Sequence, residues 1–234
     1  MSEQQNQPLT LEQLQEIGKN YQKIEQQQKI ERYRILNEKV IKGQILFTGS
    51  SLMEQFPINE LLMTERLDHI IYNRGIGGFT TANMLKNIDV QIFDLEPAKI
   101  FINIGTNDLS YAEASFDDLL AYMLKNYAAI LEQIQTRLPK TEVYLMAYYP
   151  VNETDKVSRN PWESDMFTNR NNRNLPVANT AVEKLAAQYN YQYIDVNKGL
   201  TDEYGMLKKE FTVEGIHMYA NGYRVVFENL KPYF

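Results

Sequence analysis

Five short runs rich in β-branched, aromatic and aliphatic residues punctuate the chain: Ile45 to Thr48, His69 to Tyr72, Lys99 to Ile104, Glu142 to Ala147 and Tyr191 to Val196. Helical patterns fill the gaps between them. Near-continuous apolar strands separated by helices build a parallel sheet, and right-handed crossovers place helices over both of its faces. The helical patterns are Thr81 to Phe93, with Met84, Leu85, Ile88 and Ile92 on one face, Phe116 to about Leu138, Val177 to Tyr189, and a closing Asn221 to Leu230. The second opens with Ser115 and Asp118 in an S-x-x-D start. With 234 residues, 44% of them hydrophobic, there is material for one sizeable α/β domain and an extension.

The extension is residues 1–43, ahead of a domain at 44–234. Residues 9–41 read as one long helix, opened by a capping box of Thr10 and Gln13 with Leu9 and Leu14 as a staple. Leu14, Ile17, Tyr21 and Ile24 form an apolar stripe, which predicts packing on the following domain or, as the alternative, a homodimer through this helix. Val151 to Asn174 is polar, asparagine-rich and without a period. It reads as a long loop, and loops of this length are usually functional or mobile.

Composition removes several function classes. Thirty acidic against 24 basic residues, a formal net charge of -6 and no basic block argue against nucleic-acid binding. The absence of cysteine removes disulfides, thiolate metal sites and thiol nucleophiles. Only His69 and His217 are histidines, so a three-histidine zinc site cannot be built, although oxygen-ligated magnesium or calcium remains open. "MSEQQNQPLT" has no signal-peptide character and no run is long enough for a membrane span, so a cytoplasmic protein is the expectation.

In open parallel sheets, ligands bind beyond the carboxyl ends of the strands. "GSS" follows the first strand, "NRGIGGFTT" the second and "GTND" the third. Each has a plain structural reading. A serine of "GSS" can cap a helix, Gly75, Gly77 and Gly78 can supply positive φ, and Asn107 can bond its own backbone in a turn. "VEGIHMYANGY" adds Glu214 three residues before His217, with Gly215 to tighten the turn between them. His217 is thus the one histidine with an orienting acid nearby. His69, inside a predicted strand, reads as a core or sheet-edge residue without a role.

These four stretches resemble the SGNH (GDSL-type) hydrolases, and look most like the branch related to platelet-activating-factor acetylhydrolase subunits. The likeness runs from about Gln44 onward and holds four motifs in order. Gly49-Ser50-Ser51-Leu52 stands for the G-D-S-L block, "NRGIGGFT" for the second, "GTND" for the third and "EGIHMYANGY" for the D-x-x-H block. The resemblance implies a flavodoxin-like three-layer α/β/α sandwich with a five-stranded parallel sheet, and ester hydrolysis without cofactor or metal. It makes Ser51 the nucleophile, His217 the base and Glu214 its acid, with Ser51, Gly78 and Asn107 as the oxyanion hole. The chain departs from the family at Ser50, at Phe79 and at Glu214, each where an aspartate is usual. The extra methylene of Glu214 has to be absorbed by the turn, or His217 takes another partner such as a backbone carbonyl.

A serine esterase acting on a small or short-chain acyl ester, acetyl among them, follows from that likeness. The rivals are a non-catalytic relative and a flavodoxin-like protein whose "GSS" loop holds a phosphate or nucleotide. An α/β-hydrolase is disfavoured because Met53 stands where the nucleophile elbow needs glycine. Trp162, Met166 and Phe167, with Tyr148 and Tyr149, are candidates to roof an acyl pocket.

Overall fold

The computed structural model describes residues 9–154 and 165–234. Strands β1 (Ile45–Gly49), β2 (Ile71–Gly75), β3 (Lys99–Asn103), β4 (Glu142–Met146) and β5 (Gln192–Ile194) form one parallel sheet in the order β2-β1-β3-β4-β5. The period-two alternation of side chains divides the core. Leu46, Ile100, Ile102, Val143 and Leu145 face helices α4 (Thr81–Lys86), α5 (Ile88–Gln91), α6 (Phe116–Arg137) and α7 (Leu175–Gln188). Phe47, Phe101, Tyr144 and Met146 face α2 (Ser51–Glu54), α3 (Ile58–Glu65) and α8 (Ala220–Leu230). The result is the three-layer α/β/α sandwich expected. Among the described residues, no helix is long and apolar enough to cross a membrane.

The second face is strongly aromatic. Phe101 stacks on Tyr144 with ring centroids 4.9 Å apart, and Phe56 stacks on Tyr223 at the same distance. The first contact joins β3 to β4, the second holds α8 against the turn after α2, and the Tyr223 hydroxyl donates to the Leu52 carbonyl at 2.9 Å. The last helix is thereby tied to α2, the element that begins with Ser51.

Local boundaries differ from the sequence expectation most clearly in two places. The pattern from Thr81 to Phe93 is two short helices and a 3-10 turn, Phe93–Leu95, broken at Asn87, whose side chain bonds back to the Asn83 carbonyl at 2.9 Å. Strand β2 starts at Ile71 and runs to Gly75, so its apolar signal covers only its first residues. His69 accordingly lies outside the strand and is exposed, its ring 5.6 Å from that of Phe234, rather than in the core.

The long N-terminal helix α1 (Leu11–Asn37) begins with the predicted box: Thr10 N–H donates to Gln13 Oε1 at 2.9 Å and Gln13 N–H to Thr10 Oγ1 at 3.2 Å. It docks by a different face from the one its apolar periodicity indicates. Leu14, Ile17, Tyr21 and Ile24 are 48–69% exposed, and the staple residue Leu9 is exposed as well. Ile30 is the buried anchor, flanked by Tyr33 and Asn37. Asn37 Nδ2 donates to the Val90 carbonyl at 2.8 Å, while its Oδ1 accepts from Arg74 Nε at 2.8 Å. Arg74 is buried and lies 4.9 Å from the Tyr33 ring centroid, so its charge is met by an amide oxygen and a π face. Desolvation holds the Arg74 guanidinium below its ordinary range, with the neighbouring tyrosines opposing that shift.

Replacing Asn37 with leucine removes one of two acceptors of a buried cation, the Asn73 carbonyl at 2.9 Å from Arg74 Nη1 being the other. A hydrogen bond to a charged group is worth roughly 1.5–3 kcal/mol, and a chain of this size loses about 2–4 °C in Tm per kcal/mol. A thermal melt of Asn37→Leu should therefore show a clear downward shift, with a two-state transition retained.

Candidate active site

Strand order reverses between β1 and β3, because β2 lies on one side of β1 and the later strands on the other. At such a switch point the loops leaving the two central strands diverge and open a crevice. Register sets the geometry: Gly49 pairs with Gly75 on one side and with Asn103 on the other. The three polar loops therefore leave the sheet edge side by side.

Ser51 is the first residue of α2 and is 9% exposed. Ser50, ahead of it, makes no side-chain capping bond, and its N–H donates to the Asn103 carbonyl at 3.3 Å. Capping does not explain these hydroxyls. Ser51 Oγ instead lies 2.8 Å from His217 Nε2.

The second loop is packed onto this turn. A Cβ on Gly75 would collide with the Glu54 backbone nitrogen, so glycine is required there for close approach. A Cβ on Gly77 would stand 3.8 Å from that of Ser51. Of the three glycines expected at positive φ, only Gly78 adopts it, at +73°. Among the described residues, the Gly78 amide donates to no acceptor.

Asn107 does not bond its own backbone. Its Nδ2 donates to the Phe79 carbonyl at 2.9 Å, which joins the third loop to the residue beside Gly78. The next residue, Asp108, is buried and accepts from Thr81 N–H at 2.9 Å and from Thr81 Oγ1 at 2.5 Å. Burial raises the Asp108 carboxyl above the usual range against those hydrogen bonds. The two loops are thus clamped to each other at adjacent positions.

His217 and Glu214 sit on a tight turn closed by an antiparallel bridge between Thr212 and Met218. Gly215 takes φ +108°, and the Val213 N–H donates to the His217 carbonyl at 2.8 Å. The turn absorbs the extra methylene of Glu214 by curling the side chain back. Its Oε1 accepts both His217 N–H at 3.0 Å and the ring Nδ1 at 2.5 Å. Burial alone would raise the Glu214 carboxyl, but the bonds from His217 and the nearby Arg170 charge hold it below the ordinary value. With Nδ1 donating to a carboxylate, Nε2 is left as the acceptor facing Ser51.

Arg170 carries no sequence signal, since it lies in a polar loop without periodicity. It is 3% exposed, and its Nη1 donates to Asn107 Oδ1 at 3.4 Å. Burial pulls its pKa down to about 10, opposed by Glu214 and Tyr148, so it remains a cation at neutral pH behind both the acid and the amide. The described members of the aromatic roof expected over the site pack into the core instead. Tyr148 and Tyr149 are 2% exposed, and the Tyr148 hydroxyl donates to the Ile104 carbonyl at 2.8 Å. Met166 and Phe167 pack on the core, and Trp162 lies outside the described residues. Among the described residues, no three histidine or carboxylate side chains gather as a metal-ligand set. A surface hollow lined by Asn152, Asp202, Met206 and Lys208 contains none of the site residues.

A fold with a serine, a histidine and a carboxylate aligned at the switch point of a parallel sheet belongs with the acyl-transferring hydrolases, and sequence comparison agrees. Residues 58–225 match the GDSL-like Lipase/Acylhydrolase family, and the chain belongs to that family. A Streptococcus pneumonia protein provisionally described as a platelet activating factor is 31% identical, with a TM-score of 0.82 over 96% of this chain and 99% of that one. A GDSL-like lipase from Bacteroides thetaiotaomicron is 20% identical, with a TM-score of 0.67 over 87% of this chain and 96% of that one, a likeness of fold. The N-acylneuraminate cytidylyltransferase of Escherichia coli is 25% identical over 214 residues, covering 89% of this chain and 45% of that protein. The chain therefore spans less than half the length of that curated relative.

Because the Glu214 pKa is lowered by folding, this carboxyl contributes stability that is present above its unfolded value near 4.5 and is lost as pH falls through the lower folded value. Glu214→Gln should flatten that part of the profile. Melting temperatures of the two proteins, measured in steps from about pH 6 to 3, should converge at the acid end.

Proposed function

We propose that this protein is a serine esterase that transfers a small or short-chain acyl group, acetyl among them, from an alcohol to water through an acyl-enzyme on Ser51. The observation that carries this reading is the continuous line from Ser51 Oγ to His217 Nε2, 2.8 Å, and from His217 Nδ1 to Glu214 Oε1, 2.5 Å. Ser51 Oγ attacks the carbonyl carbon while its proton passes to Nε2, leaving imidazolium and a tetrahedral oxyanion. Collapse of that intermediate breaks the bond to the leaving alcohol, which takes the proton from Nε2. Water then attacks the acyl-enzyme by the same sequence, releasing the acid and free Ser51.

Glu214 fixes the tautomer and offsets the imidazolium charge, and the His217 backbone N–H holds its carboxylate in place. The oxyanion is received by the N–H groups of Ser51 and Gly78 and by the second hydrogen of Asn107 Nδ2. The Ser51 amide is free of intrahelical bonds because it opens a helix. The first hydrogen of Asn107 Nδ2 is committed to Phe79, and Arg170 holds its oxygen, so the amide has one orientation in which the remaining hydrogen is available.

Ser51→Ala should lose measurable hydrolysis of 4-nitrophenyl acetate and should not be labelled by a fluorophosphonate that labels the parent protein. Asn107→Ala should keep KM and lose ~10²–10³ in kcat, the usual effect of deleting one oxyanion donor. Across 4-nitrophenyl esters of increasing chain length, kcat/KM should fall from acetyl onward. Wild-type activity in Ser51→Ala would sink the reading altogether.

A further inference from the structure

Helix α1 meets the second loop through a polar stripe: Gln26, Lys29, Tyr33 and Asn37, spaced three, four and four apart on one side of the helix. Each of these residues reaches the segment that leads to Gly78, Lys29 through Glu54 and the others directly. Asn37 holds Arg74, and the Tyr33 hydroxyl donates to the Gly75 carbonyl at 2.9 Å. Lys29 pairs with Glu54 at 2.7 Å, and Glu54 in turn accepts from the Gly77 N–H at 2.6 Å. Gln26 Nε2 donates to the Gly77 carbonyl at 2.7 Å.

The last contact bears on chemistry. The carbonyl of Gly77 and the N–H of Gly78 belong to one planar peptide unit and point in opposite directions. A donor fixed on the carbonyl therefore sets the direction of the N–H, and it also polarises that N–H as the next link of a hydrogen-bond chain. Gly78 itself has no side chain to resist rotation of this peptide and sits at φ +73°. Restraint has to come from outside the loop. Gln22 adds to it by lying against the open face of Gly78, where a Cβ would collide with its amide.

We infer that Gln26, on the N-terminal helix, is a positioning residue for the esterase reaction, aiming the Gly78 N–H at the oxyanion through its bond to the Gly77 carbonyl. The inference rests on the proposed serine esterase mechanism and extends it to a helix that lies wholly before the family match at residues 58–225. Gln26 touches no reacting atom. Its effect is on the transition state, where negative charge reaches the oxygen, and not on ground-state binding.

The test uses the full chain and 4-nitrophenyl acetate, with Gln26→Met and Gln26→Glu beside Ser51→Ala. Methionine preserves length and helix propensity but donates nothing, and glutamate turns an acceptor toward the carbonyl oxygen. Gln26→Met should lose about tenfold in kcat, less than outright deletion of a donor, with KM within about twofold and Tm close to the parent's. Gln26→Glu should lose more. Fluorophosphonate should still label Ser51 in both variants.

Parental kcat in Gln26→Met, with Ser51→Ala inactive, would overturn this inference while leaving the esterase reading intact. A rise in KM with a parallel loss of Tm would also overturn it, since that is the signature of a packing role. Activity in Ser51→Ala would instead remove the mechanism on which the inference rests.

Discussion

The pairing of Gly49 with Gly75 on one side and Asn103 on the other is the constraint from which the rest follows. Parallel strands in register end at a common edge, and the loops after β1, β2 and β3 must begin there together. The approach is close enough that side chains at the edge would prevent it: a Cβ on Gly49 would overlap the Asn103 carbonyl, and one on Gly75 would overlap the α2 backbone. Only with these atoms missing can the turn carrying Ser51 nest between its neighbours. Reversal of strand order at β1 and β3 then leaves the crevice over that turn.

Beyond the edge, polar contacts take over from packing. Asp108 joins the third loop to Thr81, Asn107 joins it to Phe79, and Arg170 reaches Asn107 from the polar loop. Several of these groups are buried, and burying them is unfavourable unless each finds partners. Arg170 Nε and Asn103 Oδ1 have no hydrogen-bond partner among the described residues, so some desolvation is uncompensated. What this arrangement provides is direction: dipoles and charges already oriented before a substrate arrives need no rearrangement when charge develops.

Sheet, layers and motif positions were legible because they rest on local periodicity and on the rule that parallel-sheet loops gather at the carboxyl edge. Ser51, Gly78, Asn107, Glu214 and His217 all follow β-rich runs or precede the final amphipathic helix, so their identities stand out against the apolar pattern. Arg170 was not legible, because nothing in "TNRNNRN" distinguishes one arginine from another; its burial depends on tertiary packing. Tyr148 and Tyr149 misled for the converse reason, since an aromatic pair after a strand suits a pocket wall and a core equally well. In α1 the apolar stripe drew attention to Leu14, Ile17, Tyr21 and Ile24, whereas docking uses one apolar anchor, Ile30, beside the polar contacts of Gln26, Lys29, Tyr33 and Asn37. A polar docking face is silent in any measure built on hydrophobicity.

The hydroxyl and the imidazole are 166 positions apart along the polypeptide, at nearly opposite limits of the sheet-forming region. Synthesis proceeds from the amino end at ~5–20 residues per second, so the ribosome presents Ser51 for many seconds before His217 exists. Throughout that interval the contact between the two side chains cannot form. The order in which its parts are made thus places the joining of hydroxyl and imidazole at the end of synthesis.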